Sequence, residues 1–152
     1  MSNVHDFDFL FGRWRVHHRR LRLRGSGSSL WDEVSGTAET RPLLGGLCNI
    51  EEHSLPISNA SGIALRSFDP SQGIWSIYWI SERDGLLQPP VSGRFEGDLG
   101  RFEGADVDDG RAVQVRFVWD RSNLSSPQWA QSFSYDSGAS WELNWKMRFQ
   151  RT

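Results

Sequence analysis

The chain has 152 residues, 38% hydrophobic and 24% charged, which is enough apolar mass for one core and one domain, 1–152, and too much for a disordered segment. Seventeen Lys and Arg against 19 Asp and Glu leave a net charge of −2, excluding the global attraction to nucleic acid or anionic membrane that a strongly basic domain has. Cys48 is the only cysteine, so neither an intramolecular disulfide nor a thiolate metal cluster can form, and the opening Met1-Ser2-Asn3-Val4-His5-Asp6 carries no signal-like basic or apolar region; a cytoplasmic location is expected.

In chain order, Asp6–Phe11 is the one candidate helical turn, with an acidic residue placed to cap its start. From residue 12 onward, period-two alternation replaces any helical spacing. A first strand is expected over 14–24, with Trp14, Val16 and His18 on one face. The apolar parity then moves to Leu21 and Leu23, which predicts a bulge near Arg19-Arg20. Gly25-Ser26-Gly27-Ser28-Ser29 reads as a hairpin loop.

Further strands are predicted at 31–41, 46–55, 62–69, 73–82, 91–97, 100–105, 111–120, 127–135 and 139–150. Turn chemistry such as Asp69-Pro70-Ser71-Gln72-Gly73, Asp84-Gly85, Asp109-Gly110 and Asp136-Ser137-Gly138 separates them, and these connections are too short for parallel crossovers. In the last strands one face is apolar: Val113, Val115, Phe117 and Trp119; then Trp129, Gln131, Phe133 and Tyr135; then Trp141, Leu143, Trp145, Met147 and Phe149. The fold class predicted is an all-β, antiparallel up-and-down barrel of about ten strands.

Eight tryptophans are a heavy load for this length, and Trp75, Trp79, Trp129, Trp141 and Trp145, on strands with alternating neighbours, are candidates to wall a pocket, Trp79, Trp129 and Trp145 first among them, since indoles give flat apolar surfaces with one N–H donor. The bland alternative is that the rings fill the interior. Arg66, Tyr78, Gln131 and Asn144 are the polar residues best placed to join a pocket, although parity does not settle which of them face inward. A buried Arg66 would require a carboxylate or an anionic ligand.

Glu51 and His53, two apart on one strand, could act as metal ligands or as an acid/base pair, but no second ligand pattern accompanies them and no metal is expected. His17 and His18 point to opposite strand faces and cannot chelate together. Arg20, Arg22 and Arg24 form a basic stripe without interleaved aromatics, read as a solvated face. Asp106-Val107-Asp108-Asp109-Gly110 opens like a calcium loop, lacks the later ligands, and reads as a turn.

Five stretches carry a family likeness: Asp8-Phe9-Leu10-Phe11-Gly12-Arg13-Trp14, Arg41-Pro42-Leu43-Leu44-Gly45-Gly46, Leu65-Arg66-Ser67-Phe68-Asp69-Pro70, Trp75-Ser76-Ile77-Tyr78-Trp79 and Trp141-Glu142-Leu143-Asn144-Trp145. They resemble a bacterial family of lipocalin-like domains of unknown function, over nearly the whole chain. The resemblance implies a calycin-type barrel and brings no established activity. In lipocalins the tryptophan of a Gly-x-Trp motif closes the barrel base beneath an arginine of the last strand. Gly12 and Trp14 match that motif, and the arginine is Arg148 or Arg151, with Arg148 taken first. The chain is more distantly similar to the nitrobindins, whose proximal histidine lies near the C-terminus. This chain has no histidine after His53, so no haem or other cofactor is expected.

The functional expectation is a barrel that holds a small apolar or aromatic molecule, with any acidic group of that ligand met by Arg66, and with no nucleic-acid or membrane partner. The oligomeric state stays open, a homodimer included. Two alternatives stand beside it: an isomerase or hydrolase working on a small hydrophobic substrate in the same cavity, and a structural or interaction barrel with a filled core.

Overall fold

A computed structural model describes residues 2–152. Ten antiparallel strands form one closed barrel: β1 (Gly12–Leu21), β2 (Trp31–Leu43), β3 (Cys48–Ser54), β4 (Gly62–Asp69), β5 (Ile74–Ser81), β6 (Val91–Glu96), β7 (Leu99–Asp108), β8 (Arg111–Asp120), β9 (Gln128–Ser134) and β10 (Glu142–Arg151). Each strand pairs with its sequence neighbours, and β10 returns to β1, so the meander leaves no free edge. The helical content is two short 3₁₀ turns, Asp8–Leu10 and Leu44–Gly46. Among the described residues, no helix is long and apolar enough to cross a membrane.

The expected bulge at Arg19-Arg20 is absent. β1 pairs with β2 in unbroken register from Gly12 opposite Thr40 to Leu21 opposite Trp31, and the strand ends at Leu21. Leu23 lies beyond it in a bend, 61% exposed, so its apolar side chain carries no information about strand parity. The Arg20–Arg24 stripe breaks up for the same reason. Arg20 faces the interior, while Arg22 pairs with Asp32 at 2.7 Å and Arg24 with Asp108 at 2.7 Å.

A register shift does occur in β10, between Leu143 and Trp145. It turns Asn144 into the barrel, where it is buried, and leaves Leu143 exposed. Trp141, expected inside, instead lies under the outward guanidinium of Arg116, 3.8 Å from the ring centroid. Alternation in β8 and β9 holds as read, with Val113, Val115, Trp119, Trp129 and Phe133 all buried.

One end of the barrel is sealed. The N-terminal turn inserts Phe7 and Leu10, both fully buried, among Trp14, Trp75, Phe95, Phe102, Trp119 and Phe149. The rings meet edge-on, as aromatic quadrupoles prefer: Phe7 with Trp75 at 5.0 Å and Trp14 with Phe149 at 5.9 Å and 90°. Asp6 does not cap the turn; its carboxylate accepts from the Asn3 backbone N–H (2.7 Å) and Trp75 Nε1 (3.2 Å), tying the plug to the wall. Arg121 holds it from outside by donating to the Asp6 carbonyl at 2.7 Å.

Trp14 donates its indole N–H to the Leu10 carbonyl at 2.8 Å. The arginine above it is Arg151. Its guanidinium carbon stacks 3.9 Å from the Trp14 ring centroid and its nitrogens donate to the Phe11 (2.6 Å) and Phe9 (3.2 Å) carbonyls. Arg148 cannot take that place, because it is paired with outward His17 and has the opposite parity from Phe149 and Arg151. Gly12 has a φ of +115°, and a Cβ there would lie 2.6 Å from Arg151 Nη1, so glycine is what lets the arginine close over the indole.

Candidate functional site

The other end of the barrel encloses a cavity of about 250 Å³. Its walls are Trp79, Trp129, Trp145, Phe117 and Met147; its inner end is Glu51, His53 and Arg66; and Arg24, Arg83, Asp106 and Asp108 line its outer end. Trp129 and Trp145 meet edge-on at 5.4 Å, and Trp79 and Trp145 at 6.0 Å. Gly62 makes room for this wall, since a Cβ there would collide with Trp79 Cζ2 and the Ile80 carbonyl. β5 pairs with β6 only through Trp75–Ile77, and beyond Ile77 the 82–90 loop takes the neighbouring place, with the Gln88 N–H donating to the Trp79 carbonyl at 2.9 Å.

A polar layer separates the cavity from the aromatic floor. Antiparallel register sets Thr40 opposite Glu51 and Asn49 opposite Arg66, all on inward positions of β2, β3 and β4. Arg66 is 1% exposed, donating to Glu51 Oε1 and Asn49 Oδ1 at 2.8 Å each. Its guanidinium also lies over the Phe7 and Trp119 rings at 4.8 and 5.4 Å, on the cavity-facing side of the floor. Glu51 accepts from Thr40 Oγ1 and from His53 Nε2, both at 2.8 Å. Burial pushes the Glu51 carboxyl up, but Arg66 and His53 beside it, with the His53 and Thr40 hydrogen bonds, outweigh burial and hold it down to about 2. The requirement set by a buried Arg66 is therefore met by Glu51, and the two charges offset each other.

These contacts assign the imidazole protons. An ionised carboxylate only accepts, so His53 Nε2 carries the hydrogen it gives Glu51. An indole N–H only donates, so His18 Nδ1, 3.1 Å from Trp145 Nε1, is an acceptor and His18 Nε2 carries the proton. Burial, with His53, Arg20 and His17 nearby, lowers the His18 pKa to about 3, so this ring is neutral. His53 Nδ1 and His18 Nε2 are both buried and have no partner among the described residues. The two ring centroids are 5.9 Å apart.

Of the residues singled out in the sequence, Arg66, Trp79, Trp129, Gln131 and Trp145 come together around the cavity. Asn144 stands behind them, its Oδ1 accepting from Gln131 Nε2 at 2.8 Å. Tyr78 does not join. It alternates with Ile77 and Trp79, which face inward, and so lies on the outer surface of β5. Two interior polar residues, Thr40 and Asn49, carried no signal of their own in the sequence; His18 shares the inward face of Trp14 and Val16 as expected, and Arg20, expected in a solvated stripe, stacks 4.8 Å over Trp145 instead. The alternation Asn49-x-Glu51-x-His53 was the available clue, but a polar alternation reads as a wet face unless its neighbours' parity is known.

Asp106-Val107-Asp108-Asp109-Gly110 is the end of β7 and its turn into β8, and Asp108 is occupied by Arg24 and by Tyr135 Oη at 2.7 Å. The Glu51 carboxylate likewise has both oxygens engaged by Thr40, His53 and Arg66, and no group of three metal-ligating side chains occurs among the described residues. Geometry thus defines a class, a closed antiparallel β-barrel sealed at one end and holding a cavity at the other. A scan against protein-family models and a search of curated proteins each give no match to this chain.

Proposed function

We propose that the protein binds one small, flat, mainly aromatic molecule inside the barrel, as a lipocalin-like carrier or receptor of a reducing cytoplasm. The observation that carries this reading is the cavity of about 250 Å³ between Trp79, Trp129 and Trp145, which ends on a polar layer while the opposite end of the barrel is packed solid. The single cysteine, half-buried and unpaired, supports the compartment. Charge compensation of Arg66 by Glu51 argues for a ligand whose inner end is neutral.

The Glu51–His53 contact favours a second reading. A histidine whose inner N–H rests on a buried carboxylate and whose outer nitrogen has no partner among the described residues has the arrangement of a proton-transfer group, suited to moving a proton within a substrate, as in an isomerisation. Native mass spectrometry of the purified protein, with tryptophan quenching across neutral aromatics, fatty acids, flavonoids and porphyrins, tests the main reading. A bound mass with quenching by the neutral aromatics is expected. Absence of both for every class overturns it.

A further inference from the structure

We propose that the ligand is an aromatic carboxylate that enters ring first, with its acid group held toward the outer end of the cavity by Arg20. This rests on the binding reading above and specifies the ligand class and its orientation in the same site.

Arg20 is a cavity-lining cation that the chain leaves without a counter-ion. On β1 the inward positions rise from Trp14 in the floor through Val16 and His18 to Arg20, so Arg20 stands two residues, about 7 Å of strand, beyond His18. There it is half-buried, with its guanidinium carbon 4.8 Å from the centroid of the Trp145 ring. It makes no ion pair among the described residues. The carboxylates around it are committed elsewhere: Asp32, its cross-strand partner, is held by Arg22 at 2.7 Å, and Asp108 by Arg24 and Tyr135 Oη, both at 2.7 Å. Burial and then the charge of Arg24 push the Arg20 pKa down, and Asp32 pulls it back. A partly desolvated guanidinium gains most from a partner of opposite charge, and its planar fork matches the two oxygens of a carboxylate.

The charges around the cavity point the same way. Four guanidinium groups line it, those of Arg20, Arg24, Arg66 and Arg83, against three carboxylates, Glu51, Asp106 and Asp108. Glu51 answers Arg66 and Asp108 answers Arg24, and one guanidinium remains in excess. A ligand with a single negative charge complements that excess, whereas a phosphate monoester, with close to two, exceeds it. Entry ring first places the aromatic body between Trp79, Trp129 and Trp145 and leaves the acid nearest to water, where its desolvation costs least.

Arg66 is the competing partner for the acid, since its Nε is buried without a hydrogen-bond partner. Its charge is already answered by Glu51 at 2.8 Å, and a second carboxylate there would face that ionised one. Arg20 carries no such obstacle.

The experiment is isothermal titration calorimetry of the full chain, at low ionic strength, with 2-naphthoate and 2-naphthamide, two probes of nearly one shape that differ in charge. Both bind, and 2-naphthoate binds about tenfold tighter, the scale of a charge-assisted hydrogen-bonded pair. Concentrated salt narrows the ratio. Arg20→Met, which keeps an unbranched side chain against Trp145, abolishes the preference and keeps the affinity for the amide. Arg20→Lys retains part of the preference, and Arg83→Met retains all of it.

Equal affinities, or tighter binding of the amide, overturn the proposal and leave the cavity reading standing. So does a preference that survives Arg20→Met, as when Arg66 receives the acid, or one that is lost in Arg83→Met instead. No binding of either probe overturns both readings. Should the Arg20 variants fail to fold, NMR of the native chain labelled with nitrogen-15 arginine gives the second readout. The Arg20 Nε–H resonance should move with 2-naphthoate and not with 2-naphthamide, and an unmoved resonance overturns the proposal.

Discussion

Tryptophan builds both halves of this barrel, and the halves behave differently. In the floor, Trp14 and Trp75 are fully buried, with their N–H groups spent on Leu10 and Asp6, and Trp119, 1% exposed, forms part of the surface on which the cavity rests. In the upper half, Trp79, Trp129 and Trp145 face a cavity, and the Trp145 N–H goes to a histidine of the polar layer. What separates them is the N-terminal turn. Phe7 and Leu10 fill the space between the lower indoles, while nothing in the chain fills the space between the upper ones. The lesson is that an aromatic interior becomes a core or a pocket according to whether another segment of the chain reaches it.

The largest effects are expected below the cavity. Trp14→Ala should destabilise by about 3–5 kcal/mol, because a large ring is removed from a closed packing. Trp79→Ala, whose ring faces open space, should cost well under half as much and should instead weaken aromatic-ligand binding; equal losses in urea denaturation would break the distinction between the halves. Arg66→Met should also cost about 3–5 kcal/mol, since it strands the buried Glu51 carboxylate. The double variant Arg66→Met with Glu51→Leu should recover a good part of that loss, and failure to recover would mean that the pair is not the source.

The polar layer also sets the response to acid. The unfolded chain protonates a histidine near 6.5, whereas folded His18 resists until about 3, so this stabilisation is complete above 6.5 and is lost as pH falls toward 3. Glu51, lowered from 4.5 to about 2, adds a second loss over that lower interval. Together they should remove on the order of 6 kcal/mol between pH 6.5 and 3. His18→Gln should flatten the profile between 6.5 and 4.5 and leave only the Glu51 share of the slope below that; a profile unchanged by that variant would contradict a neutral buried His18.

The smallest effect separates two arginines three residues apart. Arg151→Ala should cost about 1–2 kcal/mol by taking away the stacked guanidinium over Trp14 and its two backbone hydrogen bonds. Arg148→Ala, on the exposed face, should stay within about 0.5 kcal/mol of the parent in the same denaturation.

Strands whose apolar face is the inner face were legible in the sequence. β8 and β9 alternate as read, and the turns at Asp109-Gly110 and Asp136-Ser137-Gly138 lie where their residues require. Legibility ended where parity and polarity part company. β3 turns Asn49, Glu51 and His53 inward, and only the register with Thr40 and Arg66 reveals them as mutually satisfied. The shift at Asn144 moved Leu143 outward without any glycine or proline to announce it. Arg151 against Arg148 was decidable by parity from Phe149, and Tyr78 by parity from Trp79, once one inward residue on each strand was known. The site's cations and imidazoles, by contrast, come from β1, β3 and β4, and spacing along one strand says nothing about partners on another.

Fluorine NMR of the chain labelled with 5-fluorotryptophan, titrated with 2-naphthol, tests the division of the barrel most directly. The account predicts that the resonances of Trp79, Trp129 and Trp145 shift with ligand while those of Trp14 and Trp75 stay in place. Movement of the floor resonances with the upper three unchanged, or no movement in any of them, would contradict it.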